Sequence, residues 1–350
     1  MIAPLELSGR QIGPGRPCFL IAEAGVNHNG DVALAKRLIE AAAEAGADAV
    51  KFQTFRSERL VSPTARKAAY QAAATGAQES QLDMIRRLEL PAEAYSDLKR
   101  HCEARGVLFL STPFDEESAD LLDTLGVAAF KIPSGEVTNP VLLAHVGRKG
   151  KPVILSTGMS TLEEVAAAVA TLRQAGAQGI AVLHCVSSYP ADPADANLRA
   201  MATLAEACHV PVGYSDHTPG IEVALAAAAL GACVIEKHLT LDRTLPGPDH
   251  RASLEPAQFS ALVRGVRIIE SALGDGRKRP RPSEADTAAV ARRSLVAARD
   301  LPAGATLTED ALAILRPGTG LAPSLRARVV GRRAKVAIPA GTPLTWEMVG

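Results

Sequence analysis

Two phrases of the 350-residue chain carry a histidine in similar surroundings: Gly213-Tyr214-Ser215-Asp216-His217-Thr218 and Ile235-Glu236-Lys237-His238-Leu239-Thr240. Each follows a short β-branched run, at 209–212 and 232–235, and an Ala- and Leu-rich helical stretch at 219–230 separates them. In a parallel α/β protein this order puts both imidazoles at the carboxyl ends of adjacent strands, on the rim where such folds hold their chemistry. Either histidine alone would serve as a hydrogen-bonded structural residue. The pair suits a divalent metal, with further positions left for water or substrate. Two lysines, Lys51 and Lys131, also follow apolar strand residues, where lysine is seldom purely structural. Two ammonium groups in one pocket call for phosphate or carboxylate. Ser134-Gly135, Ser156-Thr157-Gly158 and Ser187-Ser188-Tyr189 follow successive strands, and small hydroxyl–glycine turns let backbone N–H groups approach phosphate oxygens. Glu23 ends another apolar strand and is a candidate general acid or base, or a salt-bridge partner for a lysine.

The elements that must position these groups alternate regularly. Apolar runs at 18–25, 49–54, 107–111, 128–132, 152–156, 180–184, 209–212 and 232–235 read as strands buried on both faces. Helical patterns lie between them, the first capped by Asp31 and stopped by Gly46, the last spanning 255–273. Eight strand–helix units over about 270 residues are the arithmetic of a (β/α)8 barrel. Its strand ends, Glu23, Lys51, Lys131, Ser156, His184, His217 and His238, are expected to face one cavity. Residues 56–80 form a polar excursion too long for an ordinary βα loop, expected to be a lid or rim. Residues 276–288 read as a polar, Pro-containing linker between a barrel domain, 1–275, and a small β-rich domain, 289–350. In the latter the phrase at 301–308 returns at 338–345.

Composition narrows the function classes. Lys plus Arg equals Asp plus Glu at 38 each, and aromatic residues are 3% of the chain, so net charge exerts no global pull toward nucleic acid, local basic patches aside, and bases would find few stacking platforms. The five cysteines are scattered without a C-x-x-C, and Cys18, Cys185 and Cys233 read as reduced thiols in strands. With no apolar run of about 18 residues and no leader pattern, the expectation is a soluble cytoplasmic protein that binds no membrane.

The runs IAEAGVNHNG (21–30), VKFQTF (50–55), ESQLDMIRRLEL (79–90), STPFDEES (111–118), FKIPSGEVTN (130–139), ILSTGMST (154–161), GYSDHT (213–218), IEKHLTLDRTLPGPDH (235–250) and RPGTGL (316–321) together resemble the sialic acid synthase family over nearly the whole chain. The C-terminal part resembles the antifreeze-like (SAF, β-clip) domain of those enzymes. The resemblance implies a TIM barrel that condenses phosphoenolpyruvate with an N-acetylated hexose to a nine-carbon 2-keto acid and phosphate. It implies manganese, or magnesium or cobalt, on His217 and His238, and phosphoenolpyruvate on Lys51, Lys131, Ser134, Gly135, Ser156 and Ser187. Position 187 is Ser where several family members carry Asn or Thr. Glu23 falls near the reacting carbons, and Tyr189 and Asp249 near the sugar. Arg316 matches the arginine with which the SAF domain reaches a partner subunit's barrel, which implies a domain-swapped homodimer. The expected acceptor is N-acetylmannosamine, giving N-acetylneuraminate. The alternative is 2,4-diacetamido-2,4,6-trideoxymannose, giving N,N'-diacetyllegionaminate. A pseudaminate-type reading is disfavoured by His184, which stands where that group is expected to carry Lys. Two rivals stand outside this chemistry: a Schiff-base aldolase using Lys131 or Lys237, and a non-catalytic sugar-binding protein.

Overall fold

A computed structural model of the chain describes residues 2–76 and 78–350; Met1, and Ala77 in the expected lid, lie outside the described residues. The chain divides into two compact units, Met1–Gly274 and Asp275–Gly350.

The first unit begins with an antiparallel hairpin, β1 (Leu5–Leu7) and β2 (Arg10–Ile12). Eight parallel strands follow: β3 (Phe19–Gly25), β4 (Ala49–Thr54), β5 (Leu108–Pro113), β6 (Phe130–Ile132), β7 (Pro152–Ser156), β8 (Gly179–Cys185), β9 (Val212–Asp216) and β10 (Val234–His238). They lie in the order β5-β4-β3-β10-β9-β8-β7-β6. The first and last strands of the series pair directly, Glu23 opposite His238, so the sheet curls into a barrel with its seam between β5 and β6. Helices α1 (Val32–Glu44), α5 (Ala92–Ala104), α6 (Glu116–Thr124), α7 (Pro140–Gly147), α8 (Leu162–Ala175), α9 (Ala200–Cys208), α10 (Glu222–Ala229) and α11 (Pro256–Leu273) occupy the crossovers and the end of the unit. Three short helices, α2 (Ser57–Leu60), α3 (Ala69–Thr75) and α4 (Gln81–Arg86), lie in the excursion between β4 and α5.

The period of two along each strand explains both faces. One set, Leu20, Ala22, Val50, Phe52, Phe109, Val153 and Val182, packs with the helices in the main core. The alternate set, Phe19, Ile21, Ala49, Leu110, Ala129, Ile154, Leu183 and Val234, fills the barrel interior with Leu5, Leu7 and Ile12 of the hairpin. The hairpin therefore plugs the amino-terminal end. One step further along the same inward face the side chains become polar.

Two local expectations change. The phrase Gly213–Asp216 is strand β9 itself, not a turn, because parallel pairing with β8 and β10 continues through Ser215 and Asp216. Val234–His238 is likewise one continuous strand. In the second unit, the latter half of the expected linker is helical: α12 (Ala285–Ala291) begins inside it. Beyond α12, β11 (Ser294–Ala297) and β12 (Leu312–Leu315) pair antiparallel, and one further short helix, α13 (Arg326–Val329), follows. The unit has its own core of Leu295, Leu307, Leu321, Val329, Ile338 and Leu344. The two echoing phrases meet there, since Leu301 and Ile338 exchange backbone hydrogen bonds of 2.9 and 2.8 Å. Among the described residues no helix is long and apolar enough to cross a membrane.

Candidate active site

A cavity of about 550 Å³ opens at the carboxyl end of the barrel. Its floor contains Glu23, Lys51, Lys131, Ser134, Gly135, Ser156, Ser187, Tyr189, His217, His238 and Asp249, which come from seven strands and the loops after them. Strand register brings them together. Ile21, Ala49, Ala129, Ile154 and Val234 point into the sealed interior, so Glu23, Lys51, Lys131, Ser156 and Glu236, two residues on, share that face nearer the rim.

Glu236 was not singled out from the sequence, yet it sits at the electrostatic centre. Its Oε1 lies 3.5 Å from Lys131 Nζ and 3.9 Å from Lys51 Nζ, and it accepts a hydrogen bond of 3.2 Å from Ser215 Oγ. Lys51 also pairs with Glu23 and donates to Thr112 Oγ1 at 3.0 Å, while Lys131 donates to Ser156 Oγ at 2.8 Å. Two cations and two carboxylates thus share a buried floor. Burial disfavours the charge on Glu236, but Lys131 and Lys51 prevail and hold its carboxyl below the usual range. Burial pushes Glu23 up to about 7 against the attraction of Lys51. Asp249 is raised to about 6 by burial. Burial lowers Lys131, despite Glu236. The signal for Glu236 was in the sequence: it stands two residues before His238 on a strand, hence on the same face. Ser215 before His217 and Cys185 before Ser187 follow the same rule.

The anion-sized part of the floor is a cradle. Ser134 Oγ accepts from the Gly158 N–H at 2.9 Å, and a Cβ on Gly158 would lie 2.2 Å from Ser187 Oγ and 3.0 Å from Ser134 Oγ. Only glycine leaves that space open.

The imidazoles of His217 and His238 are neighbours, with ring centroids 5.4 Å apart. His217 Nδ1 donates to the Val186 carbonyl at 2.8 Å, which fixes the ring and leaves Nε2 as the free nitrogen. His238 Nδ1 is buried without a protein partner, as are Glu23 Oε1 and Glu236 Oε2. Burial and the adjacent His217 and lysines hold His238 well below the ordinary imidazole range, in the neutral form that binds metals. Among the described residues no cluster of three or more His, Cys, Asp or Glu completes a metal cage. The pair therefore fits an ion that keeps open positions, not a closed structural site. Tyr189 covers the pair, its ring 4.2 Å from His217 and 5.8 Å from His238, and Tyr70 of α3 stacks on Tyr189 at 5.0 Å.

Three expectations are corrected. His184 does not face the cavity: its odd step on β8 turns it outward, where Nε2 meets the Ala196 carbonyl at 2.8 Å. Cys185 takes the inward place, with Sγ 3.7 Å from His217 Nδ1, and is a cavity thiol instead of a packed core one. Lys237 is no Schiff-base candidate, because it lies on the outer face, fully buried, held by Asp216 Oδ2 at 2.6 Å and the Thr218 carbonyl at 2.5 Å. Arg316 is exposed on the second unit, directly after β12.

Residues 38–278 match the NeuB family model, and residues 292–350 match the SAF domain. The chain is 48% identical over 341 residues to an N,N'-diacetyllegionaminic acid synthase of Legionella pneumophila, covering 96% of each. A synthase of the same name from Campylobacter jejuni is 50% identical over 305 residues, 87% of this chain and 91% of that one. The crystal structure of an N-acetylneuraminic acid (sialic acid) synthetase from Leptospira borgpetersenii, 38% identical, superposes with a TM-score of 0.74 over 82% of this chain and 95% of that one.

Proposed function

Because this chain belongs to the NeuB family and is a synthase of the transferase class, we propose that it joins phosphoenolpyruvate to 2,4-diacetamido-2,4,6-trideoxymannose, giving N,N'-diacetyllegionaminate and phosphate. Two relatives near half identity carry the legionaminic name, which favours that acceptor over the N-acetylmannosamine expected from the sequence. The observation that carries the chemistry is the meeting of an anion cradle, two buried lysines and a neighbouring imidazole pair, His238 Nδ1 without a protein partner, in one cavity.

In this reading Lys51 and Lys131 hold the carboxylate and phosphate of phosphoenolpyruvate, with Ser134, Gly135, Ser156 and Ser187 cradling its oxygens. C3 of phosphoenolpyruvate attacks the aldehyde carbon of the open-chain sugar, and the aldehyde oxygen takes a proton to become a hydroxyl. Water adds at C2 and gives up a proton. The tetrahedral intermediate then collapses to the ketone as the C–O bond to phosphate breaks. Glu23, with its carboxyl near 7, is suited to move these protons. Glu236 keeps both lysines charged and aligned. His217 and His238 would hold a divalent ion, manganese by family resemblance, which supplies Lewis-acid polarisation of an oxygen. Tyr189 and Asp249 contact the sugar. The domain plan, a barrel at 1–275, a linker at 276–288 and a SAF domain at 289–350, is part of the proposal. So are a homodimer in which Arg316 serves the partner's site, and a cytoplasmic location.

The test is phosphate release from phosphoenolpyruvate and Mn²⁺ with each sugar in turn. Turnover of the trideoxy sugar in preference to N-acetylmannosamine is expected. Preference for N-acetylmannosamine would overturn the acceptor while leaving the chemistry. Borohydride trapping on Lys131 would overturn the chemistry itself.

A further inference from the structure

The acceptor cavity has two chemically different walls. Its floor is polar. Its roof comes from the excursion between β4 and α5, and there the cavity is lined by Leu60, Val61, Ala65, Met84, Ile85 and Leu88, together with Ser62, Tyr70, Gln71 and Gln81. Some of these pack the roof onto the barrel: Leu60, Ile85 and Leu88 join Val26, Phe55 and Phe114 in one apolar cluster. That cluster does not include Val61, Ala65 or Met84, although Val61 is 7% and Met84 1% exposed. All three line the cavity; Met84 is the most covered of them, its Sδ accepting a hydrogen bond of 3.4 Å from Thr75 Oγ1.

The roof is held in place. Arg86 of α4 bonds Glu58 of α2 at 2.9 Å, and Lys67 donates to Thr75 Oγ1, to the Gly76 carbonyl and to Glu79, at 2.9, 3.0 and 3.0 Å. The amides that also line it satisfy one another in part: Gln71 Oε1 accepts from the Ala68 N–H at 3.0 Å and from Gln81 Nε2 at 3.4 Å.

An open-chain aldose reacts at C1 and has C6 at its far end. With C1 held at the floor beside the imidazoles and the cradle, C6 points to the wall opposite. We propose that Val61, Ala65 and Met84 form an apolar seat for the deoxy C6 methyl of the acceptor, and that this seat sets the preference for a 6-deoxy sugar over a 6-hydroxy one. The inference rests on the acceptor reading above and adds the residues responsible for it. A methyl against these side chains loses water it held poorly. A hydroxyl there loses hydrogen bonds to water and gains none from valine or alanine, while Met84 Sδ, a weak acceptor, is already engaged by Thr75 Oγ1. Discrimination by such a pocket is worth about ten- to a hundredfold in kcat/KM.

The experiment measures kcat/KM for phosphate release with 2,4-diacetamido-2,4,6-trideoxymannose, with its 6-hydroxy counterpart 2,4-diacetamido-2,4-dideoxymannose and with N-acetylmannosamine, on the full chain and on Val61→Thr and Ala65→Ser. Val61→Thr keeps shape and adds one hydroxyl. Ala65→Ser does so at a half-buried position that tolerates it, so one folded variant is available if the other is not. The ratio of the 6-deoxy to the 6-hydroxy kcat/KM for the two diacetamido sugars cancels a loss of active protein. We expect the wild type to favour the trideoxy sugar and the ratio to fall about tenfold in the variants. A wild type that favours the trideoxy sugar with a ratio unmoved in both variants overturns the seat alone. A wild type that favours N-acetylmannosamine overturns the acceptor reading, and the seat with it.

Discussion

At the scale of single residues, the floor works because unlike charges are buried together and a few polar atoms are left open. Replacing His238 with Ala removes one of the two neighbouring imidazoles. The variant is expected to bind Mn²⁺ weakly in calorimetry and to lose turnover; full activity in metal-free buffer would sink the metal assignment. Gly158→Ala is the matching test of the cradle. Its Cβ would sit against Ser187 Oγ, so KM for phosphoenolpyruvate should rise severalfold with the unfolding temperature nearly unchanged. Two buried histidines outside the metal pair set an acid limit. Burial lowers His28 and His250 each to about 4. Between there and the unfolded value near 6.5, the unfolded chain binds more protons than the folded one. The stability they supply is complete above 6.5 and is lost as pH falls toward 4, and His28 alone contributes on the order of 3 kcal/mol. Glu23 and Asp249, raised by burial, act in the opposite sense over the same range, so the test is a difference: between pH 7 and pH 5 the urea midpoint of His28→Gln should fall less, or rise more, than that of the unsubstituted chain.

At the scale of elements, one alternation does the positioning. Along β10, Val234, Glu236 and His238 face the interior while Ile235 and Lys237 face the helices. The outward pair Lys237–Asp216 ties β10 to β9, with both side chains fully buried. Asp216→Ala would strand an ammonium group there and is expected to cost about 3–5 kcal/mol, read as a fall in thermal midpoint. Gly213 has a related duty on β9. A Cβ there would come within 2.3 Å of the Val234 carbonyl, so the two histidine strands can approach only over glycine. The strands and helices were legible because apolar runs and helical spacing recur. The continuation of β9 through Ser215 and Asp216 was not, because those residues are polar and read locally as a turn. Pairing with both neighbours decides otherwise.

At the scale of the whole molecule, the proposed homodimer can be tested by complementation. If Arg316 serves a partner's barrel, mixing His238→Ala and Arg316→Ala chains through an unfold–refold cycle should restore part of the activity, since a mixed dimer keeps one site free of both lesions. Two inactive variants that stay inactive together would argue for sites built within one chain. The order of strands and helices, and the residue types at the strand ends, were determined by the sequence: hydrophobic period is a local property, and Glu23, Lys51, Lys131, His217 and His238 each close an apolar run. Which strand-end side chains look inward was not. His184 and Cys185 are adjacent, and only the register of β8 against β7 and β9 turns the thiol to the cavity and the imidazole away. Glu236 became the centre of the floor only when barrel closure brought β4, β6 and β10 around one axis, placing two lysines from distant parts of the chain within 4 Å of it.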